Sequence, residues 1–469
     1  MPQSRANSPE DRSREGHSQG DHSQGANSQG ANSQGSRSAP QAGCPEAPRR
    51  LGPRPLPQHL MLALALWGNS ALAWPSLKAA WQGSSKAPSP SPSPSPGPSP
   101  SPGPSPLASA LQALAPDLQK ADEAALLDAL TLEGRRRLEH FLDGVLAYRR
   151  HPAARRVTVR PVLWREGTTV LRDYRNGADA AAPRVLVIPS LVNRYYILDL
   201  EPESSFLADL ASRGYAPFVV DWDAPGAEEQ RFDLTRYIAG RLEGALDALR
   251  REPGGPIILV GYCMGGNLAL ALALRRQADV AALACLATPW DFHADGATQA
   301  QLIGAVGRGM DPLFQALGEM PVDLLQSFFA SLDPLSILAK FRRFADMEEV
   351  AARRFVALED WLNDGVGLAA PVARECLTQW YGENTPADGR WLIAGQPVRP
   401  EELRLPALAM IPGNDRIVPP NSALGLARRL PDCETLAPAA GHIGMMVGSS
   451  ARVRVWDPLD AWLRRTAAS

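Results

Sequence analysis

The chain lacks most of the patterns that assign a protein at sight. Its five cysteines (Cys44, Cys263, Cys285, Cys376 and Cys433) are odd in number and scattered. None belongs to a C-x-x-C pair, so neither a zinc site nor a redox dithiol is predicted, and the pattern suits a reducing, cytoplasmic setting. No metal site is expected. A net charge of -2 leaves no basic excess, which argues against nucleic acid as a partner. Long apolar runs are missing too. "LMLALALWGNSALAW", residues 60–74, is interrupted by Asn69 and Ser70. It falls short of the ~20 apolar residues that span a bilayer, so no transmembrane span is predicted. Its "ALA" resembles a signal-peptide cleavage site, but it lies too far from residue 1 for that role. Two readings stay open: a short helix docked on the main domain, or an interfacial segment anchored by Trp67, Trp74 and Trp81.

Bulky apolar residues are also scarce in residues 1–55, where SQG recurs at Ser18, Ser23, Ser28 and Ser33. Such a stretch buries too little apolar area to offset its ordering, and a disordered tail is expected. Residues 56–84 form the apolar, Trp-containing helical segment, and residues 85–106 a proline-serine linker of extended type. Residues 107–154 carry apolar side chains at spacings of three and four, which predicts helix.

From residue 155 the pattern changes. "VLWREGTTVLRDY" reads as two strands about a Gly turn. "RVLVIP", "APFVVDW", "PIILVGY", "ALACLATPWDF" and "PALAMIP" are short unbroken apolar runs, each separated from the next by helical stretches. Runs of that kind suit strands buried on both faces, so the chain predicts a doubly wound, mostly parallel α/β sheet in two parts, 155–292 and 401–469. Residues 293–400 break the alternation and read as a mainly helical cap over the carboxyl ends of the strands.

"ILVGYCMGGNLALALAL" is strand, turn and helix. Its Gly261-Tyr262-Cys263-Met264-Gly265 is the G-x-S-x-G elbow of the α/β-hydrolase fold with a thiol in place of the hydroxyl. The turn lifts Cys263 to a helix N-terminus, where unpaired N–H groups favour a thiolate. The Met264 N–H is one candidate oxyanion donor. In this fold the acid and then the histidine follow the nucleophile. "ALAMIPGNDRIVPP" supplies Asp415, and "APAAGHIGMMVG" supplies His442 after the last strand. His293, in "PWDFHADG", reads as a loop residue, and Cys285, in mid-strand, as core. The loop after "RVLVIP" should give the second oxyanion donor, from the Val192 or the Leu191 N–H. Asn193, Tyr195 and Asp291 are candidates to line the substrate site, with packing or turn capping as the alternative.

A cysteine nucleophile forms a thioester intermediate. If the acyl group arrives as a thioester, the transfer is nearly isoenergetic, and the product stays reactive toward a hydroxyl as well as water. "GYCMGG", "NRYYILDL", "ATPWDFHA", "EDWLND", "WLIAGQPVRPEEL", "GNDRIVPP" and "GHIGMMVG" together resemble the polyhydroxyalkanoate synthases, most closely the class III catalytic subunit. The resemblance covers residues 155–465. It implies Cys263 as the carrier of the growing chain, His442 as its base and Asp415 as the group that orients His442. It also implies (R)-3-hydroxyacyl-coenzyme A as substrate, no cofactor beyond that thioester, and a cytoplasmic location on the surface of polyester granules. A homodimer through the cap and a second synthase subunit are the partners it suggests. The chain departs from the family at "IPSLVN", where Leu191 replaces an aromatic residue, at Ala224-Pro225, and throughout the first 106 residues. A thioesterase or polyester depolymerase of the same fold, and a non-catalytic granule protein, are the competing readings.

Overall fold

The computed structural model describes residues 50–84, 113–114, 116–118, 120–155 and 158–467. The predicted linker, and the predicted disordered tail except for residues 50–55, lie outside the described residues. The apolar runs become an eight-stranded sheet. In chain order its strands are β1 (Val162–Glu166), β2 (Thr169–Asp173), β3 (Arg184–Ile188), β4 (Ala216–Asp221), β5 (Ile257–Tyr262), β6 (Ala282–Leu286), β7 (Ala407–Met410) and β8 (Cys433–Leu436). Their spatial order is β1-β2-β4-β3-β5-β6-β7-β8. The β1–β2 and β2–β4 pairs are antiparallel, and every other pair is parallel. Every residue of β4, β5, β6 and β7 is buried, which is why their sequences do not alternate.

The winding places the site. From β3 the chain moves out to β4, then returns to β5 on the other side of β3. The strand order therefore reverses between β3 and β5, and open α/β sheets bind ligands at such a reversal. Ile188 pairs with Gly261, so the loops after these two strands emerge side by side.

Helices cover the sheet and its carboxyl edge. The N-terminal layer contains α1 (Leu56–Ala63), a π turn (Leu64–Gly68), α2 (Ser70–Ser84) and α3 (Glu123–Arg150). The Asp122 carboxylate caps α3 by accepting the Ala125 N–H, and Arg149 and Arg150 suit its carbonyl end. After β5 comes α4 (Met264–Arg275). The cap is built from α5 (Ala297–Leu317), α6 (Val322–Leu332), α7 (Pro334–Phe344) and α8 (Glu349–Asn363). Pro334 opens α7, and α6 and α7 meet at 93°.

A separate apolar core joins the N-terminal layer to the cap. Phe141 and Tyr148 of α3 pack with Phe341 and Phe344 of α7, Val356 of α8 and Ala63 of α1. Trp67 meets Phe141 edge to face at 6.2 Å, and the Arg342 guanidinium lies over Trp67 at 5.4 Å. The 60–74 run is thus seated on protein through one face, while Met61, Leu64 and Leu72 on the other are exposed. The Trp81 side chain is outside the described residues. Among the described residues no single helix is long and apolar enough to cross a membrane.

Candidate active site

Tyr262 ends β5 and Met264 opens α4, so Cys263 alone turns the chain. Its backbone sits at φ 58°, ψ -131°, a strained region for a residue with a side chain. The tightness of the turn explains two neighbours. A Cβ on Gly265 would strike the Ile188 carbonyl, and a Cβ on Gly261 would strike the Gly266 backbone. The Cys263 N–H donates to the Leu286 carbonyl at 2.8 Å, pinning the elbow to β6. The thiol is half-buried. Cys285 differs: it is 2 % exposed in the middle of β6, and burial pushes its thiol well above the usual range.

Asp415 follows β7. One carboxylate oxygen accepts the Ile417 and Val418 N–H groups, each at 2.8 Å. The other accepts the Nδ1–H of His442 at 2.6 Å. With both oxygens engaged, the carboxylate fixes the plane of the imidazole. His442 is 7 % exposed, and its ring stacks on Tyr262 with centroids 5.2 Å apart. The Tyr262 hydroxyl donates to the His442 carbonyl at 3.0 Å. Burial by itself lowers the pKa of His442, but the charge of the Cys263 sulfur and the hydrogen bonds to Asp415 and Cys263 raise it to about 10. The arrangement can therefore take up and pass on a proton through the imidazole beside the nucleophile.

A cavity of about 80 Å³ opens on this group. Ser190, Val192, Asn193, Cys263 and His442 are among its lining residues, and Phe329, Trp361 and Leu362 come in from the cap. Met264 is the first residue of α4, where a helix leaves its N–H without an intrahelical acceptor. The Val192 N–H is engaged with the Ser190 hydroxyl at 3.3 Å. The side-chain oxygen of Asn193 is buried and has no hydrogen-bond partner among the described residues.

Two candidates are not brought to this cavity. Tyr195 opens a short 3-10 turn and points to Tyr174, hydroxyl to hydroxyl at 3.5 Å, with the Arg172 guanidinium over its ring. Asp291 faces a neighbouring cavity of about 240 Å³. There it accepts the His293 N–H at 3.0 Å and the Asn384 side-chain amide at 2.9 Å, the turn-capping alternative raised for it. His293 itself donates from Nε2 to the Tyr381 carbonyl at 2.8 Å. Among the described residues no cluster of three or more His, Cys, Asp or Glu could hold a metal.

Sequence reasoning gave no role to Ser190, Tyr262, Phe329 or Trp361. Tyr262 carried one signal, its place beside the nucleophile. Trp361 carried another, as part of "EDWLND". Phe329 had none, because its place depends on the bend between α6 and α7.

Residues 183–449 match the model of a family described as the alpha/beta hydrolase fold. The poly(3-hydroxyalkanoate) polymerase subunit PhaC of Haloferax mediterranei is 27% identical over 312 residues, 65% of this chain and 63% of that one. The protein of the same name from Haloarcula marismortui is 27% identical over 284 residues, 59% of this chain and 60% of that one. In Allochromatium vinosum it is 28% identical over 318 residues, 66% of this chain and 88% of that one. The chain thus spans about six-tenths of the length of the first two relatives.

Proposed function

The chain belongs to the alpha/beta hydrolase fold family, and from that premise we propose that it is an acyltransferase that polymerises (R)-3-hydroxyacyl-coenzyme A into polyester. One observation carries the reading. A thiol stands at the elbow and shares its cavity with an imidazole that Asp415 holds in place. The relatives named as poly(3-hydroxyalkanoate) polymerase subunits support it.

In the proposed reaction the Cys263 thiolate attacks the thioester carbonyl. The bond to the coenzyme A sulfur breaks, and coenzyme A leaves with a proton from His442. The acyl group is now a thioester on Cys263. The hydroxyl of the acceptor then gives its proton to His442 and attacks that thioester. A new ester bond forms and the thiolate is released. The Met264 and Val192 N–H groups are the proposed donors to the oxyanion in both steps. Asn193, which lines the cavity, is the proposed contact for the 3-hydroxyl of the acyl group. No metal or prosthetic group enters the scheme, since the thioester itself supplies the activated acyl group. A cytoplasmic site on the polyester granule, a second synthase subunit and a homodimer through the cap belong to the same proposal.

The test is incubation with (R)-3-hydroxybutyryl-coenzyme A. Polymer together with an acylated Cys263 peptide supports the reading. Free hydroxy acid without polymer would make the protein a thioesterase. Polymer from Cys263→Ala would overturn the mechanism.

A further inference from the structure

Arg50 lies far outside residues 183–449, yet it is bonded to Asp360 of α8, next to Trp361 and Leu362 of the cavity wall. Its side chain is 3 % exposed. Nε donates to one oxygen of Asp360 at 2.6 Å and Nη2 to the other at 3.0 Å, a two-pronged pair. Its other N–H groups reach the carbonyls of His151 and Ala153. The Tyr148 hydroxyl adds a third bond to Asp360, at 2.8 Å. Farther along, the Arg54 N–H donates to the Asn363 side chain at 2.7 Å, and its guanidinium pairs with Asp323 of α6 at 2.8 Å. Residues 50–54 are therefore a strap across the end of α8.

The same helical turn looks inward as well. Asp360 and Asn363 meet the strap, while Trp361 and Leu362 line the cavity at Cys263. The Trp361 indole donates to the Arg194 carbonyl at 2.8 Å. Asp364 accepts the Tyr196 hydroxyl at 3.0 Å and pairs with Arg194 at 3.1 Å. Arg194 and Tyr196 belong to the loop that carries Val192 and Asn193. The strap, one turn of α8 and the candidate oxyanion loop form a continuous set of directional bonds.

We propose that Arg50 is a positioning residue for the site: by holding Asp360 it fixes the rotation of α8 that sets Trp361 and Leu362 against the Cys263 cavity. The inference rests on the acyl-transfer reading for its substrate but not for its geometry. The two-pronged pair defines both distance and angle, which a point charge would not. A wall residue displaced by ~1 Å can slow a bound reaction by ~100-fold without touching the reacting atoms.

The experiment uses the full chain, well below its melting temperature. Arg50→Ala and Asp360→Asn should each lower kcat for acylation of Cys263 by (R)-3-hydroxybutyryl-coenzyme A, by ~10- to 100-fold, with a smaller change in KM. The double variant should be no slower than either single one. Guanidinium at a low, non-denaturing concentration should restore part of the rate to Arg50→Ala and none to Trp361→Ala. Wild-type kcat in the folded variants, with only the melting temperature lowered, would overturn the inference. Should Arg50→Ala fail to fold, Asp360→Asn, which keeps the side-chain shape, carries the test. A second readout needs no thioester: the ratio of Cys263 alkylation rates by iodoacetamide and N-benzylmaleimide. The variants should shift that ratio several-fold, and an unchanged ratio counts against the strap. Absence of thioester acylation in the wild type would instead overturn the function.

Discussion

The elbow and the N-terminal layer both join residues far apart in sequence, but different things hold them. At the elbow the backbone does the holding. Cys263 is tied to β6, Asp415 is clamped by two N–H groups, and Gly265 lies against the Ile188 carbonyl. In the N-terminal layer side chains do the holding, through the aromatic contacts of Phe141, Tyr148, Phe341 and Phe355 and the Arg50–Asp360 pair. A backbone-held group keeps its place when a neighbouring side chain is trimmed, so substitutions there should remove chemistry and spare the fold. A layer held by side chains should lose stability first.

The largest effect is expected at the thiol. Cys263→Ala should lower acyl transfer by at least ~10⁴-fold, with a melting temperature close to wild type. A large fall in melting temperature would break the contrast. Asp415→Asn should lower kcat by ~10³-fold or more, because the imidazole loses the acceptor that fixes its tautomer. A stopped-flow acylation assay reads this directly. On the other side of the comparison, Phe141→Ala removes a fully buried ring from the layer core. It should cost ~3–5 kcal/mol by urea unfolding while the folded fraction keeps its kcat. A loss of kcat in folded Phe141→Ala as large as that of Arg50→Ala would show that the aromatic core, and not the Arg50–Asp360 pair alone, sets the site.

Much of the elbow was legible because its constraints are local. Glycines at 261 and 265, an apolar strand before them and a helix after them leave few other structures for "GYCMGG". Asp415 and His442 followed from chain order, since each lies in a loop after a strand of the parallel sheet. The limits of the reading are also physical. Asn193 and Tyr195 look equivalent in sequence, but the 3-10 turn that opens at Tyr195 sends that side chain toward Tyr174. Asp291 ends in a turn because Asn384, distant in sequence, supplies the partner. Arg50 was read as part of a disordered tail, since nothing near it in sequence announces Asp360 as its partner. Composition reports how much apolar area a segment can bury, and says nothing of a single two-pronged ion pair.

Two smaller effects sharpen the comparison further. The pKa of His442 is raised to about 10, and the Cys263 charge is the largest contribution that raises it. A raised group stabilises the fold fully below its ordinary value of 6.5, and that stabilisation is lost as pH rises through about 10. In Cys263→Ala the imidazole should therefore titrate at lower pH, and the high-pH loss of stability should begin earlier. NMR titration of the His442 ring, with melting temperature followed against pH, checks both. The smallest effect belongs to the pair of Arg416 with Asp333, 2.6 Å apart, where the arginine side chain is 77% exposed. Asp333→Asn should cost under ~1 kcal/mol, and less at high salt. A drop of several degrees in melting temperature would mean that the cap is fastened at its surface as well as in its core.

The contact between the Val192 N–H and the Ser190 hydroxyl bears on repeated turnover. A catalyst that adds one unit after another must empty its site many times on one chain. In the proposed cycle, an arriving carbonyl oxygen replaces the serine hydroxyl as acceptor, and the hydroxyl takes the N–H back when the oxygen leaves. The donor exchanges acceptors and is never stranded, which avoids the ~1–3 kcal/mol of a buried N–H with no acceptor. Ser190 would then act as a placeholder that keeps the waiting state and the working state close in free energy, so that each addition ends where the next can begin.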